Sequence, residues 1–197
     1  VIEEVQLAPL AVRPMDLEVT LHQALPPGGA RLLGTDDDEV EGVLRVGHWV
    51  SCMACASDDV LDAAECPPTF GTNPDQIVGL ISGGYATLVL SMEGVEDDRN
   101  AAVIDCKTRQ LSDKDFMIGL AASRRTPYTV TALAYAKSIG CKTAFIICNQ
   151  ADDELEVTPD ILIELPVGPE VITGSTRMKS GTAQKMTLNM ISTTAMV

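Results

Sequence analysis

The residues best equipped for chemistry lie in one stretch, Gly168 to Lys185, which reads Gly-Pro-Glu-Val-Ile-Thr-Gly-Ser-Thr-Arg-Met-Lys-Ser-Gly-Thr-Ala-Gln-Lys. Small hydroxyl side chains (Thr173, Ser175, Thr176), a glycine (Gly174) and two cations (Arg177, Lys179) stand just before a helix-like run, Thr182 to Val197. A helix start presents backbone N–H groups that lack intrahelical partners, and the helix dipole favours negative charge there. Hydroxyls add further donors. Together these residues predict a pocket for an anion, either phosphate or carboxylate. A turn with an ordinary N-cap would need only one Ser or Thr. The density of donors and the Arg/Lys pair favour the pocket.

Two glutamates are candidates for proton transfer. Glu65 lies in Leu61-Asp-Ala-Ala-Glu65, a helix-like stretch ended by Cys66-Pro67-Pro68. Glu96 lies in an acidic cluster with Glu93, Asp97 and Asp98. A carboxyl near apolar surface, or among like charges, holds its proton more tightly, which suits a proton donor. The competing role for each is a solvated or helix-capping group. In Ala121-Ala-Ser-Arg-Arg-Thr-Pro-Tyr128, Ser123 and Thr126 are candidate ligand contacts. The competing reading there is a strand-to-helix turn capped by Thr126.

Cys52-Met-Ala-Cys55 with His48 raises the question of zinc, but a structural zinc site needs four ligands at workable spacings. The remaining cysteines, Cys66, Cys106, Cys141 and Cys148, form no second pair, so no metal is expected. Asp36-Asp37-Asp38-Glu39 reads as a solvated acidic loop. With no G-x-G-x-x-G and no Walker loop, no nucleotide cofactor is expected.

The elements that must position these residues follow from apolar runs and turn signals. Gln76–Ile81 reads as a buried strand closed by Ser82-Gly-Gly84. Asp98 to Gln110 is a polar helical link. Phe116–Ala122 is a second strand. Pro127 opens a helix with Tyr128, Ala132, Leu133 and Ala136 at helical spacing, and Gly140 closes it. Lys142–Cys148 and Ile161–Leu165 are further strands. Apolar strands alternating with helices predict an α/β fold, a three-layer sandwich with a mainly parallel sheet flanked by helices. Ligands bind such sheets beyond the C-terminal strand ends, at a switch point in strand order. Ser82, Ser123 and Gly174 fall just after strands or at helix starts.

The chain has 197 residues, enough for one domain with its own core. Aromatics make up only 4%, so aliphatic side chains and Met must fill the interior. A net charge of −14 argues against nucleic acid and against an anionic membrane surface as partners. An anionic ligand must therefore be drawn by local cations and helix ends. No apolar run reaches the length of a membrane span, and Val-Ile-Glu-Glu-Val-Gln lacks the features of a signal peptide. Six irregularly spaced cysteines then read as reduced thiols of a cytosolic protein.

The stretch from Gly168 to Lys185 also resembles the signature of the N-acetylmuramic acid 6-phosphate etherases and the related glucokinase regulatory proteins, both of the sugar isomerase (SIS) superfamily. Asp62-Ala-Ala-Glu-Cys-Pro-Pro-Thr-Phe-Gly71 and Met92-Glu-Gly-Val-Glu-Asp97 resemble the etherase branch in particular. The resemblance implies an SIS-type fold. It implies Glu65 as proton donor, Glu96 as its partner, and Ser123, Thr126, Ser175, Thr176 and Lys179 as contacts to the anionic parts of a sugar phosphate. It also implies a cytoplasmic homodimer in cell-wall amino-sugar recycling. The rival expectations are a non-catalytic sugar-phosphate regulator and an inactive fragment.

The likeness covers residues 60–197 well and 1–59 poorly. It implies an N-terminal helical segment over 1–29 and an SIS-like domain over 30–197. Thr35 to Asp59 departs from the family, which there has a Gly-rich phosphate loop. An insertion, a divergence or a reading-frame fault would each account for it, and the abrupt boundaries favour the last. The family usually has Gly where Arg124 stands, and Ser82-Gly-Gly-Tyr85 is one residue shorter than the family's loop. A missing initiator Met and the family's further helical portion imply a longer protein.

Overall fold

Side chains that alternate along one strand decide the layering. In the strand Phe116–Ala121, Met117 and Ala121 join one buried cluster, and Ile118 and Leu120 join another. A strand buried on both faces needs helices on both sides. The computed structural model describes residues 49–53, 58–150 and 155–197. The strands are β1 (Trp49–Met53), β2 (Ile77–Ile81), β3 (Phe116–Ala121), β4 (Lys142–Ile147) and β5 (Ile161–Glu164). They form one sheet in the order β2-β1-β3-β4-β5, and every neighbouring pair is parallel. The helices are α1 (Asp58–Phe70), α2 (Ala86–Val89), α3 (Arg99–Thr108), α4 (Pro127–Ser138) and α5 (Lys179–Met196), with a 3₁₀ turn at Val95–Asp97.

Helices α3 and α4 cover one face. Their Ala102, Cys106, Tyr128, Val130 and Leu133 pack with Met117, Phe145 and Ile147 of the sheet. Helix α5 covers the other, with Ala183, Leu188 and Ile191 against Ile118, Leu120, Ala144 and Ile146. Helix α1 joins the α5 side through Cys66, which clusters with Ile77, Phe70 and Met196. The α/β three-layer sandwich is therefore formed as the sequence predicts.

Three local features differ from expectation. Four strands are predicted and a fifth, β1, lies between β2 and β3, inside the atypical segment 35–59. It pairs Trp49 with both Ile77 and Phe116. Its short run, Trp-Val-Ser-Cys-Met, carries no turn signals that would mark its ends. Second, Pro67 and Pro68 lie inside α1 instead of ending it. Each proline removes one backbone donor, yet the helix ends only at Gly71, whose φ is +70° and whose N–H bonds to the Pro67 carbonyl at 2.9 Å. Third, α5 starts at Lys179, three residues before the predicted Thr182.

Two glycines set how closely the helices approach the sheet. A Cβ on Gly119 would lie 2.7 Å from Leu133 Cδ1, so α4 sits against bare backbone of β3. A Cβ on Gly79 would lie 2.8 Å from the Val60 Cα, which cannot move without shifting α1. Gly79→Ala should therefore destabilise the fold by about 1–3 kcal/mol, the usual scale of overpacking. A lowered denaturant midpoint with unchanged slope would report it; an unchanged midpoint would contradict this packing.

Candidate functional site

An all-parallel sheet sends every strand-to-helix connection out at its carboxyl edge. The order reverses direction between β1 and β3, which makes a crevice at that edge. Three candidate segments emerge there: the 82–98 connection with Glu96, the Ser123–Thr126 turn, and the 165–178 connection with Ser175 and Thr176.

The Ser123–Thr126 turn stands directly on the switch point, after β3. Ser123 is exposed and Thr126 half-buried. Their hydroxyls lie 3.4 Å apart, and the Arg125 N–H donates to Ser123 Oγ at 3.3 Å. Thr126 occupies the N-cap position of α4, yet its side chain makes no capping bond, contrary to the simple capping role. Pro127 fills the first helical position and needs no donor partner. Beneath the turn, fully buried Tyr128 donates its hydroxyl to Asp105 Oδ2 of α3 at 2.6 Å. That bond fixes the α4 start. Arg124, where the family usually has Gly, does not adopt a positive φ, and its guanidinium donates to the Gln150 carbonyl at 3.4 Å. The shortened Ser82-Gly-Gly-Tyr85 loop closes as a tight turn, with Gly84 N–H donating to the Ile81 carbonyl at 2.9 Å.

The start of α5 is organised differently from the expectation of open amides. Lys179 N–H and Ser180 N–H donate to the two carboxylate oxygens of Glu170, at 3.1 and 2.9 Å. Gly181 N–H and Thr182 N–H donate to the carbonyls of Thr176 and Met178, each at 2.9 Å. Three of the amides that a helix start leaves open, those of Lys179, Ser180 and Gly181, are thus engaged within the chain, and the Thr182 bond is the first of the helix itself. Lys179 Nζ donates to the Pro169 carbonyl at 3.0 Å. Ser175 closes a turn on Ile172 at 3.0 Å, which Gly174 permits with a φ of +85°. Ser175 is half-buried and Thr176 exposed. Glu170 has no role in the sequence reading. A carboxylate upstream of a helix is a weak signal, and its nine-residue separation from Lys179 hides the contact.

Glu65 is an exposed residue midway along α1. Asp62, one turn earlier, accepts from Asn189 Nδ2 at 2.6 Å and Ser192 Oγ at 3.0 Å, which ties this helix to α5. Glu96 is half-buried in the 3₁₀ turn, which packs against α4. Asp98 of the same acidic cluster is a helix cap, with Oδ1 accepting from Asn100 N–H and Ala101 N–H at 2.9 Å each. The helix that carries Glu65 thus packs with α5, and the turn that carries Glu96 packs with α4. Ser123 and Thr126 are the pair of predicted contacts that meet directly.

Residues 61–137 match the glucokinase regulatory protein N-terminal SIS domain, and residues 100–193 match the SIS domain. An N-acetylmuramic acid 6-phosphate etherase of Erwinia tasmaniensis is 56% identical over 138 residues, which is 70% of this chain and 45% of that protein. The chain belongs to the N-acetylmuramic acid 6-phosphate etherase family. It spans about half the length of the curated relatives it matches. Among solved structures, a phosphosugar isomerase assigned to capsule formation in Bacteroides fragilis NCTC 9343 aligns with a TM-score of 0.54 at 16% identity, covering 95% of this chain and 81% of its own. The E. coli CFT073 protein c3406, solved in complex with a sugar phosphate, aligns with a TM-score of 0.52 at 16% identity, covering 77% of this chain and 71% of its own. At such identities these two establish the SIS fold.

In this etherase-family chain, no group of three or more metal-ligating side chains occurs among the described residues. His48 and Cys55 of the sequence-level zinc question, and the Asp36–Glu39 loop, lie outside the described residues. No helix among the described residues is long and apolar enough to cross a membrane. Cys66, Cys106, Cys141 and Cys148 are free and buried. Desolvation pushes the thiols of Cys106 and Cys141 up to about 12 and that of Cys148 up to about 11. Thiolate is the reactive form. At pH 8 these four cysteines should resist a thiol reagent in the folded protein and react on unfolding. Mass-spectrometric mapping checks this, and rapid native labelling of Cys148 would contradict its burial.

Proposed function

We propose that this chain binds a sugar phosphate at the Ser123–Thr126 turn and acts as an N-acetylmuramic acid 6-phosphate etherase, a carbon–oxygen lyase. One observation carries the reading: two hydroxyls 3.4 Å apart, with no capping bond from Thr126, at a helix start on the switch point of the sheet. Hydroxyl donors and a helix dipole together favour a phosphate dianion. The etherases among the relatives, and the sugar-phosphate complex of the E. coli protein, support a sugar-phosphate ligand. Ser175, Thr176 and Lys179 hold the other anionic part of the substrate.

The reaction is elimination followed by hydration. A base takes the proton at C2, which the open-chain aldehyde acidifies. The electron pair forms the C2–C3 alkene, and the C3–oxygen bond breaks. Glu65 delivers a proton to the leaving oxygen, which departs as D-lactate, and Glu96 is its partner in proton transfer. Water then adds across the alkene, with hydroxyl to C3 and hydrogen to C2, and gives N-acetylglucosamine 6-phosphate. Side-chain proton transfers suffice for these steps, with each positioned group contributing about 10²–10⁴-fold. The reading implies cytoplasmic amino-sugar recycling by a homodimer, with no metal or nucleotide cofactor.

A second reading, a sugar-phosphate regulator without turnover, is favoured by the match of residues 61–137 to the glucokinase regulatory protein N-terminal SIS domain. D-lactate release separates the two. Under the lyase reading, Glu65→Gln should lower turnover by about 10²–10⁴-fold while calorimetric affinity for the sugar phosphate changes little. The double change Ser123→Ala with Thr126→Ala should instead weaken binding at least about tenfold, the size of one or two lost hydrogen bonds. If the two carboxyls come from different chains, mixing Glu65→Gln with Glu96→Gln protein should restore lactate release. Tight binding without lactate release would establish the regulator, and turnover indifferent to Glu65→Gln would remove that residue from the mechanism.

A further inference from the structure

The stretch that reads as an anion pocket supplies an anion of its own. The Glu170 carboxylate spans two consecutive amides of α5, and the Lys179 ammonium reaches back past it to the Pro169 carbonyl. The connection from Pro169 to Lys179 is thus closed at its base from both ends. Ser175 and Thr176 lie inside that closed loop, held by the Ile172–Ser175 turn and by the bond from Gly181 N–H to the Thr176 carbonyl. Ser180 is buried, so one of the two clamped amides belongs to a residue seated in the core. Its carbonyl accepts from Cys148 Sγ at 3.7 Å, at the carboxyl end of β4.

We propose that Glu170 is the positioning residue of the signature loop, its carboxylate standing where an external anion would otherwise sit and fixing Ser175 and Thr176 against the sheet edge. The inference deepens the sugar-phosphate reading and rests on it for its effect on binding; the clamp itself does not. One consequence is a division of labour between two helix starts. The α5 start is occupied by the chain, and the phosphate is directed to the α4 start.

Charge makes the clamp testable. Its hydrogen bond from Ser180 N–H, ahead of that from Lys179 N–H, holds the Glu170 carboxyl below its ordinary value of 4.5. The groups that face it are the Lys179 ammonium, the Ser180 hydroxyl and the protonated Cys148 thiol. A depressed carboxyl contributes its stability above its unfolded value and loses it as pH falls through the folded one. The clamp is therefore intact at neutral pH and opens in acid.

The experiment follows the backbone amide resonances of Lys179 and Ser180 by NMR through an acid titration of the full chain. The two should move together below the ordinary glutamate range, and Glu170→Gln should flatten both. In calorimetry, Glu170→Gln should weaken N-acetylmuramic acid 6-phosphate binding by about tenfold, the size of one charge-assisted hydrogen bond. Turnover at saturation should fall far less than for Glu65→Gln, and Glu170→Asp should lie between parent and Gln. Amides that titrate alike in parent and Glu170→Gln, or a folded Glu170→Gln protein that binds as tightly as the parent, would overturn the proposal. If the parent binds no sugar phosphate while its amides titrate with Glu170, the functional reading falls and the positioning role stands.

Discussion

Parallel pairing of five strands is the constraint on which everything else depends. It forces each strand-to-helix connection to one edge, and the order of the strands opens a crevice there between β1 and β3. Residues far apart in the chain, Glu96, Ser123 and Ser175, share that edge because they follow strands and not because their sequences attract. The pairing in turn depends on close helix packing. Bare backbone at Gly79 and Gly119 lets α1 and α4 press against the sheet, and burial of Met117, Phe145 and Ile147 beneath α4 drives that contact.

Two helix starts at this edge are handled in opposite ways. At α5, the chain's own carboxylate and a backbone carbonyl take the open amides of Lys179, Ser180 and Gly181. At α4, the first position is a proline, the N-cap threonine caps nothing, and two hydroxyls face one another. The difference is one of donor availability. An anion in solution competes poorly with a tethered carboxylate, because the tether has already removed most of the cost of bringing the charge to the helix.

The two glutamates pose a separate geometric problem. α1 is anchored to α5 through Asp62, Asn189 and Ser192, while the Glu96 turn packs against α4. These contacts attach the two elements to different helices. Family membership rests on the SIS matches and on identity to etherases, whereas the chemistry depends on how those carboxyls reach one sugar.

Much of the architecture was legible in the chain. Apolar runs bounded by Gly and Pro give β2, β3, β4 and β5, and Pro127 marks the start of α4, because these signals act within a few residues. β1 was not legible, since Trp-Val-Ser-Cys-Met is short and its place between β2 and β3 is a matter of pairing across the sheet. The prolines of α1 misled for a related reason: a local preference against helix yields when packing of Cys66 and Phe70 holds the segment. In the site, sequence alone determined which residue types could bind an anion or move a proton. The tertiary structure decided which of them were available. It joined Glu170 to Lys179 and Ser180 and left the α4 hydroxyls together, because hydrogen bonds and burial act through space and residue order does not encode them.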